Sequence, residues 1–220
     1  AEHYDVRLEQ KDWSTADFDD SKWNGVGYRG APSQNVVSQQ VQPIRIVETI
    51  PANTWKKIND STYIFDFARN MSGVTRIKVS GEEGTVVKLK HGERLYDNGR
   101  VNTSNIDVYH RPVDDSDPFQ TDILILSGKG EDEFMARFNY KGFRYVEVTS
   151  SKPIELQQNS LTAYFVHSDV PQKGEISTSN PLVNRLWWAT NNAYLSNLMG
   201  YPTDCPQREK NGWTGDGHFA

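Results

Sequence analysis

Three carboxylate side chains lie close together near the end of the sequence. Asp204, Glu209 and Asp216 fall within 13 residues, and Arg208 and Lys210 flank the middle one. Loops at helix ends are a common place for catalytic groups. A glycosidase usually needs one carboxylic acid to protonate the leaving oxygen and a second carboxylate to act as base or nucleophile. These residue types therefore allow acid–base chemistry on a glycosidic bond.

A neighbouring tryptophan bears on the same question. Trp213 could supply an apolar wall that raises the pKa of a carboxyl group, which would keep the group protonated near neutrality. The competing interpretation is a solvated loop whose acids form ion pairs with Arg208 and Lys210. Composition alone favours the solvated loop.

A helix is predicted directly before these acids, over residues 177–200. Ser179 or Asn180 can cap its start, and Pro181 suits its first turn. Gly200 is placed to end it, and Pro202 blocks continuation. The apolar positions approximate a helical stripe at Leu182, Leu186, Ala189, Ala193 and Leu198.

The elements before the helix are predicted to be strands. From about residue 55 to 168 apolar residues alternate with polar ones, as at Tyr63, Phe65 and Phe67. Glycine-containing turns recur every 8–15 residues, and no alternation of strands with helices is visible. The fold class is therefore mainly β: an antiparallel β-sandwich followed by a helical region.

Four segments follow from these patterns. Residues 1–31, with acidic turn residues between two tryptophans, are too short for a domain and resemble the tail of one. Residues 32–54 are predicted to be an extended strand or linker with prolines at positions 43 and 51. Residues 55–168 form the β-sandwich domain, and residues 169–220 begin a helical domain.

Composition excludes several function classes. The net charge is −5, from 24 basic and 29 acidic residues, so no general attraction to nucleic acid is expected. Mean hydropathy is −0.71, and no apolar run is long enough to cross a membrane. The single cysteine, Cys205, allows no internal disulfide and is interpreted as a packing residue. The five histidines lack the spacing of metal ligands.

The stretch "DCPQREKNGWTGD" closely resembles the signature of the bacterial α-L-rhamnosidases, glycoside hydrolase family 78. The resemblance extends over nearly the whole chain. "FDDSKWNGV" is similar to the end of the family's N-terminal β-sandwich, and "YKGFRYVEV" is similar to part of the next one. "SNPLVNRLWWATNNAYLSNL" is similar to the first helix of the family's (α/α) six-hairpin catalytic barrel.

The resemblance implies an activity and roles for site residues. Family members cleave terminal α-L-rhamnose from glycosides with inversion and without an organic cofactor, so a rhamnose-containing glycoside or polysaccharide is the expected partner. Glu209 would be the general acid, Asp204 and Asp216 would hold rhamnose hydroxyls, and Arg208 and Trp213 would shape the pocket. Some members have an Asp-Glu pair where this chain has Glu209 followed by lysine.

The resemblance also implies that this chain is truncated. The family's general base is a glutamate far downstream, so the 220-residue chain alone is expected to be inactive. A barrel reduced to one helix cannot close, so residues 170–220 are expected to dock on the sandwich, to pair with a second copy through the exposed helix, or to be poorly ordered. His218 is a further candidate for lining the pocket.

Two other functions stay open on the sequence. One is a non-catalytic carbohydrate-binding or scaffolding β-sandwich, and the other is a related helical-barrel hydrolase with a different sugar preference. Periplasmic, secreted and cytoplasmic locations in a bacterium all fit the sequence.

Overall fold

The computed structural model describes residues 1–107 and 117–217, with only the backbone of Asp216 and Gly217. The side chain of Asp216 and the whole of His218 lie outside the described residues. The described strands are β1 (His3–Asp5), β2 (Ile44–Pro51), β3 (Thr54–Asn59), β4 (Thr62–Ser80), β5 (Val86–Gly92), β6 (Arg94–Leu95), β7 (Val101–Asn102), β8 (Thr121–Ile125), β9 (Glu131–Met135), β10 (Lys141–Ser150) and β11 (Leu161–Ser168). The described α-helices are α1 (Pro181–Ser196) and α2 (Thr214–Gly217).

Nine of these strands form one curled sheet. Its order is β1-β8-β5-β10-β4-β11-β2, and β3 and β9 also pair with β4. The pairing of β1 with β8 is parallel, and the other pairings are antiparallel. The predicted fold class is confirmed, because the chain is mainly β with a single long helix after the β-rich part.

The long strand β4 is shared by two parts of the curled sheet. β3 pairs with its first half, β9 and β11 pair with its second half, and β10 pairs with it on both sides of Ala68. Between the halves Ala68 adopts a left-handed conformation with φ 57°, and its N–H donates to Asp66 Oδ1 at 2.7 Å. Arg144 on β10 donates two hydrogen bonds to the same carboxylate, each 2.8 Å long. Asp66 thus fixes the bend that turns one strand from one part of the sheet into the other.

The space inside the curl is filled by large apolar side chains. Tyr63 and Phe65 are fully buried and Phe67 is nearly so, as the alternating pattern of β4 predicts. They pack in one cluster with side chains from the other part of the sheet, such as Leu161 and Phe165. Full burial of one such side chain contributes about 1.5–3 kcal/mol, so this cluster dominates the stability of the fold.

Polar groups are buried next to this core. Lys141 Nζ and Asp122 Oδ1 lie 2.8 Å apart, with side chains that are 6% and 4% exposed. His91 is fully enclosed, and burial is the main cause that lowers its pKa to about 4. Its Nδ1 lies 3.2 Å from the carbonyl oxygen of Gln120, and its Nε2 lies 2.9 Å from Thr75 Oγ1. Since a carbonyl only accepts, His91 is neutral with the proton on Nδ1.

Two segments at the start of the chain contribute strands to the sheet. Residues 32–54, predicted to be an extended strand or linker, contain β2, which pairs with β11. Residues 1–31, predicted to be the tail of another domain, contain β1, which pairs with β8. Neither short strand has a periodicity that reveals its partner. The division into domains stays a proposal.

The helix α1 is shorter than the predicted range of 177–200. Asn180 caps its start, with the side-chain oxygen accepting from Leu182 N at 2.9 Å, and Pro181 occupies the first turn as expected. The helix ends at Ser196, where the N–H of Asn197 bonds back to Tyr194 O at 3.0 Å. Gly200 is left-handed, with φ 82°, but it lies in the turn after the helix.

Only the second half of α1 packs on the sheet. Leu182 and Leu186, at the start of the predicted stripe, are 60% and 58% exposed. Leu195 packs against the core cluster, and Ser196 is buried. Of the three arrangements expected for residues 170–220, the structure shows docking on the curled sheet. In the described part of the chain, no helix has the length and apolar character that crossing a bilayer requires.

Candidate active site

The acidic stretch forms a closed loop after α1. The N–H of Asp204 donates to the carbonyl oxygen of Asn211 at 3.0 Å, and the N–H of Trp213 donates to that of Pro202, also at 3.0 Å. Residues 203 and 212 form an isolated antiparallel bridge. The two ends of the loop are therefore held side by side, and residues 204–211, called the acid loop below, project from this base.

The side chain of Asp204 organises the inside of the acid loop. Its Oδ1 accepts the N–H of Cys205 at 2.7 Å and the N–H of Asn211 at 3.1 Å. The Cys205 sulfur accepts the N–H of Glu209 at 3.3 Å. Cys205 thus serves the loop by packing and hydrogen bonding, which agrees with its interpretation as a packing residue.

Asp204 and Glu209 form a carboxyl–carboxyl pair. The hydrogen bond to Asp204 is the main cause that raises the pKa of Glu209, followed by burial and the charge of Asp204. Burial alone would raise the pKa of Asp204, but the hydrogen bonds from Glu209, Cys205 and Asn211 outweigh it and lower that pKa. Asp204 therefore favours the protonated form of Glu209, while the ionised form of Asp204 itself is favoured.

Arg208 opposes the raised pKa of Glu209. Its Nε lies 3.1 Å from Glu209 Oε1, and its positive charge lowers the pKa of that carboxyl. The ion pair is partly exposed, with side chains that are 30% and 39% accessible, so water screens it. The solvated-loop interpretation is therefore correct for Arg208.

Lys210 does not fit the solvated-loop interpretation. Its Nζ donates to the carbonyl oxygen of Tyr140 at 2.7 Å and lies 4.0 Å from the centre of the Tyr140 ring. Burial is the main cause that lowers the pKa of Lys210 to about 8. Lys210 therefore anchors the acid loop to the curled sheet rather than pairing with the loop's acids. Its backbone is left-handed, with φ 56°.

Trp213 does not supply the predicted apolar wall in this structure. Its side chain is 56% exposed, and the pKa of Glu209 is raised by Asp204 rather than by the indole. The structure thus brings together Asp204, Arg208 and Glu209 and leaves Trp213 at the rim. Asp216 is the third residue of α2, and its side chain lies outside the described part of the structure.

The acid loop rests directly on the curled sheet, and the residues that make this contact were not predicted from the sequence. A Cβ atom on Gly142 of β10 would lie 2.8 Å from Pro206 Cγ and 2.9 Å from Gln207 Cβ. The absence of a side chain at Gly142 is what allows this approach. Glu93, just after β5, accepts a hydrogen bond from Gln207 Nε2 at 3.0 Å. No short-range pattern marks Gly142 or Glu93 as parts of the site.

A cavity of about 480 Å³ lies between α1, the bend of β4 and the acid loop. Within the described residues, two buried side-chain atoms have no hydrogen-bond partner, Ser196 Oγ and Gln207 Oε1, and both residues line this cavity. Among the residues with described side chains, no three metal-ligating groups converge here or elsewhere.

Comparison with known proteins covers the whole chain. Residues 1–48 match the model of the alpha-L-rhamnosidase N-terminal domain. Residues 56–167 match that of the bacterial alpha-L-rhamnosidase concanavalin-like domain, and residues 171–220 match that of the bacterial alpha-L-rhamnosidase 6 hairpin glycosidase domain.

The individual relatives are also alpha-L-rhamnosidases. An alpha-L-rhamnosidase of Streptomyces avermitilis is 35% identical over 219 residues, which is 98% of this chain and 20% of the relative. One from Formosa agariphila is 31% identical over 220 residues, 98% of this chain and 22% of the relative. The chain therefore spans about a fifth of the length of the curated relatives it matches.

Solved structures are similar over the same range. The alpha-L-rhamnosidase of Dictyoglumus thermophilum superposes with a TM-score of 0.85 at 36% identity, covering 97% of this chain and 23% of that one. The Streptomyces avermitilis enzyme, solved in complex with L-rhamnose, superposes with a TM-score of 0.81 at 35% identity, covering 97% of this chain and 20% of that one.

Proposed function

Because the chain belongs to the bacterial α-L-rhamnosidase family, we propose that it is part of a glycoside hydrolase that releases terminal α-L-rhamnose with inversion. The observation that carries the proposal is the acid loop, which brings Asp204, Arg208 and Glu209 together. The substrate is a rhamnose-containing glycoside or polysaccharide, a class supported by the names of the relatives and by the rhamnose complex.

Glu209 is the proposed general acid. A general acid must hold its proton at working pH and deliver it to the leaving oxygen, so a carboxyl whose pKa is raised suits the task. Asp204 raises the pKa of Glu209 by accepting its proton in a hydrogen bond. The proposed acid therefore has its activating partner inside the same loop, five residues away in sequence.

The general base is proposed to come from outside this chain. Inverting glycosidases hold their two carboxyl groups roughly 6.5–9.5 Å apart, with the attacking water between them. Asp204 Oδ1 accepts the N–H groups of Cys205 and Asn211 inside the acid loop, and its proposed role is to bind a rhamnose hydroxyl rather than to act as the base. Because the base would then lie outside it, the chain alone is expected to be inactive.

The remaining site residues are proposed to bind the sugar. Asp204 offers a carboxylate, Arg208 offers guanidinium donors, and Trp213 offers an exposed indole face on which a pyranose can stack. Asp216 is proposed to bind a hydroxyl from the start of α2. We further propose that the exposed apolar residues at the start of α1 pack against further helices of the barrel or against a second copy of the chain.

The test is the variant Glu209→Gln in the full-length polypeptide that carries this chain. It keeps the size of the side chain but removes the proton, so turnover of a natural rhamnoside should fall by about 10²–10⁴-fold. Glu155→Gln is the matched control, because Glu155 is an exposed glutamate paired with Lys57 at 2.9 Å. A nitrophenyl rhamnoside should be less affected, since its leaving group needs little protonation.

Three other outcomes would reject parts of the proposal. An unimpaired Glu209→Gln variant would place the acid elsewhere. A wild-type protein that binds rhamnose without ever cleaving a rhamnoside would favour a carbohydrate-binding module. Turnover of a different aryl glycoside would favour a helical-barrel hydrolase with another sugar preference.

A further inference from the structure

Glu93 connects the acid loop to the bend of β4. Its Oε1 accepts a hydrogen bond from Asn70 Nδ2 at 2.7 Å, and its Oε2 accepts one from Gln207 Nε2 at 3.0 Å. Asn70 lies at the bend, two residues after the left-handed Ala68. One carboxylate thus holds two amide groups that lie far apart in the sequence.

The same bend also holds the helix that precedes the acid loop. Asn192 of α1 accepts from Arg69 Nε at 2.6 Å, and its own amide donates to the carbonyl oxygen of Asn70 at 2.9 Å. Arg69 additionally pairs with Glu48 of β2 at 2.6 Å. The continuous chain of contacts therefore runs from α1 through the bend to Glu93, and from Glu93 to the acid loop.

The contact with Glu93 sets the orientation of the Gln207 amide. Gln207 Nε2 faces the carboxylate, while its buried Oε1 has no hydrogen-bond partner among the described residues. An amide flipped by 180° would point its oxygen at a negative carboxylate, so the observed orientation is the favoured one. On the other side Gln207 lies against Gly142. Gln207 is thus held from two directions, two residues before Glu209.

We propose that Glu93 is a positioning residue for the acid loop, which holds Gln207 so that Glu209 stays paired with Asp204 and aimed at the leaving oxygen. This inference rests on the proposed function, because it concerns the same acid. A side chain of the β-sandwich would then contribute to chemistry carried out at the edge of another domain.

Loss of Glu93 has a defined consequence. Asn70 and Gln207 would lose their common acceptor, while the contacts of the acid loop with Gly142 and of Lys210 with Tyr140 would remain. A loop that moves by about 1 Å can cost 10²-fold in rate, because proton transfer needs hydrogen-bond reach.

A loosened loop should also change the acidity of Glu209. The charged or titratable groups around it are Asp204, Cys205, Arg208 and Lys210 in the acid loop, and Tyr140, Lys141 and Glu93 in the β-sandwich. Among these Asp204 raises the pKa of Glu209 and Arg208 lowers it. Separation from Asp204 would therefore move the alkaline limb of the rate profile to lower pH, which a purely structural defect would not do.

The experiment compares Glu93→Ala, Glu93→Gln and the control Glu155→Ala in the full-length polypeptide. Glu93→Ala should lower kcat by about 10–100-fold, with a smaller change in KM, and should shift the alkaline limb to lower pH. Glu93→Gln should restore most of the activity, because the Gln207 amide can flip and present its otherwise unpartnered oxygen to the new amide. Glu155→Ala should match wild type, since Glu155 pairs with Lys57 on an exposed edge.

A second variant covers the case in which Glu93→Ala does not fold. Gln207→Met removes the same hydrogen bond from the other side and should shift the alkaline limb in the same direction. If both single variants fold, the double variant should cost no more than the worse single one, because both remove one contact. Additive losses would overturn the proposal.

Amide hydrogen exchange separates failure of this inference from failure of the proposed function. The N–H groups of Glu209 and Asn211, which are bonded inside the acid loop, should exchange at least about tenfold faster in Glu93→Ala than in wild type. Unchanged exchange together with an unchanged pH profile would overturn the positioning role. Faster exchange in a protein without rhamnosidase turnover would keep the positioning role and reject the function.

Discussion

Substitution of Gly142 by alanine tests how closely the acid loop depends on the β-sandwich. The new Cβ would lie 2.8 Å from Pro206 Cγ, 2.9 Å from Gln207 Cβ and 3.1 Å from the backbone nitrogen of Gln207. Carbon atoms prefer a separation of about 3.5–4.0 Å, so these contacts must open by about 0.7–1 Å. The obstructing atoms belong to a proline ring and to backbone, which cannot rotate away. The loop as a whole has to move.

Both stability and rate should respond. Overpacking of this kind typically costs about 1–3 kcal/mol in the free energy of unfolding. A displacement of about 1 Å, two or three residues from Glu209, should lower kcat/KM on a natural rhamnoside by about 10²-fold. The hydrogen bond from Gln120 Nε2 to the carbonyl oxygen of Gly142, 2.7 Å long, keeps the strand itself in place.

The assay pairs urea unfolding with steady-state kinetics on the full-length polypeptide. Gly174→Ala is the matched control, because a Cβ there meets no atom within 4 Å and should change neither quantity. The reasoning is refuted if Gly142→Ala keeps the unfolding free energy and the kcat/KM of wild type. That result would mean that the acid loop does not rest on β10 in solution.

Two further predictions concern titration. Asp204→Asn should move the alkaline limb of the pH profile of kcat to lower pH, because the substitution removes the negative charge that raises the pKa of Glu209. An alkaline limb that stays in place would show that Asp204 does not raise the pKa of Glu209. The neutral, buried His91 has a folded-state pKa of about 4 against an ordinary value of 6.5, so the unfolded chain binds more protons between these values and stability must fall as pH decreases through this window. The loss should reach ~3 kcal/mol by pH 4 in urea unfolding and should vanish in His91→Gln but persist in His3→Gln, where the histidine is exposed.

Much of the fold could be predicted from local sequence signals. Tyr63, Phe65 and Phe67 alternate in the sequence, and all three are buried in the structure. Asn180 and Pro181 mark the start of α1 because capping depends on residues a few positions apart. The predicted end of α1 was wrong, because the helix ends at Ser196, with Asn197 as its C-cap, before Gly200. A polar residue that ends a helix gives no strong sequence signal.

The parts that could not be predicted depend on contacts between distant residues. Glu93 lies 114 residues before Gln207, and no period or motif connects them. Lys210 was expected to neutralise the acids beside it, but its stem reaches the carbonyl oxygen of Tyr140, 70 residues away. The acids could be recognised as a group because they are close in sequence. The residues of the sheet that support them, such as Glu93 and Gly142, could not.

The shared strand β4 has a consequence for how the chain folds during synthesis. Its main partners on β10 and β11 follow it by roughly 80 residues, which at about 5–20 residues per second takes the ribosome roughly 4–16 s to supply. For most of that interval β3 is the one described partner strand of β4 that has already been made, and β9 follows before β10 and β11. Pairing across such separations is intrinsically slow and exposes strands to aggregation. The pairing of β4 therefore stays incomplete until β10 and β11 have been synthesised, which gives a chaperone time to act on this strand.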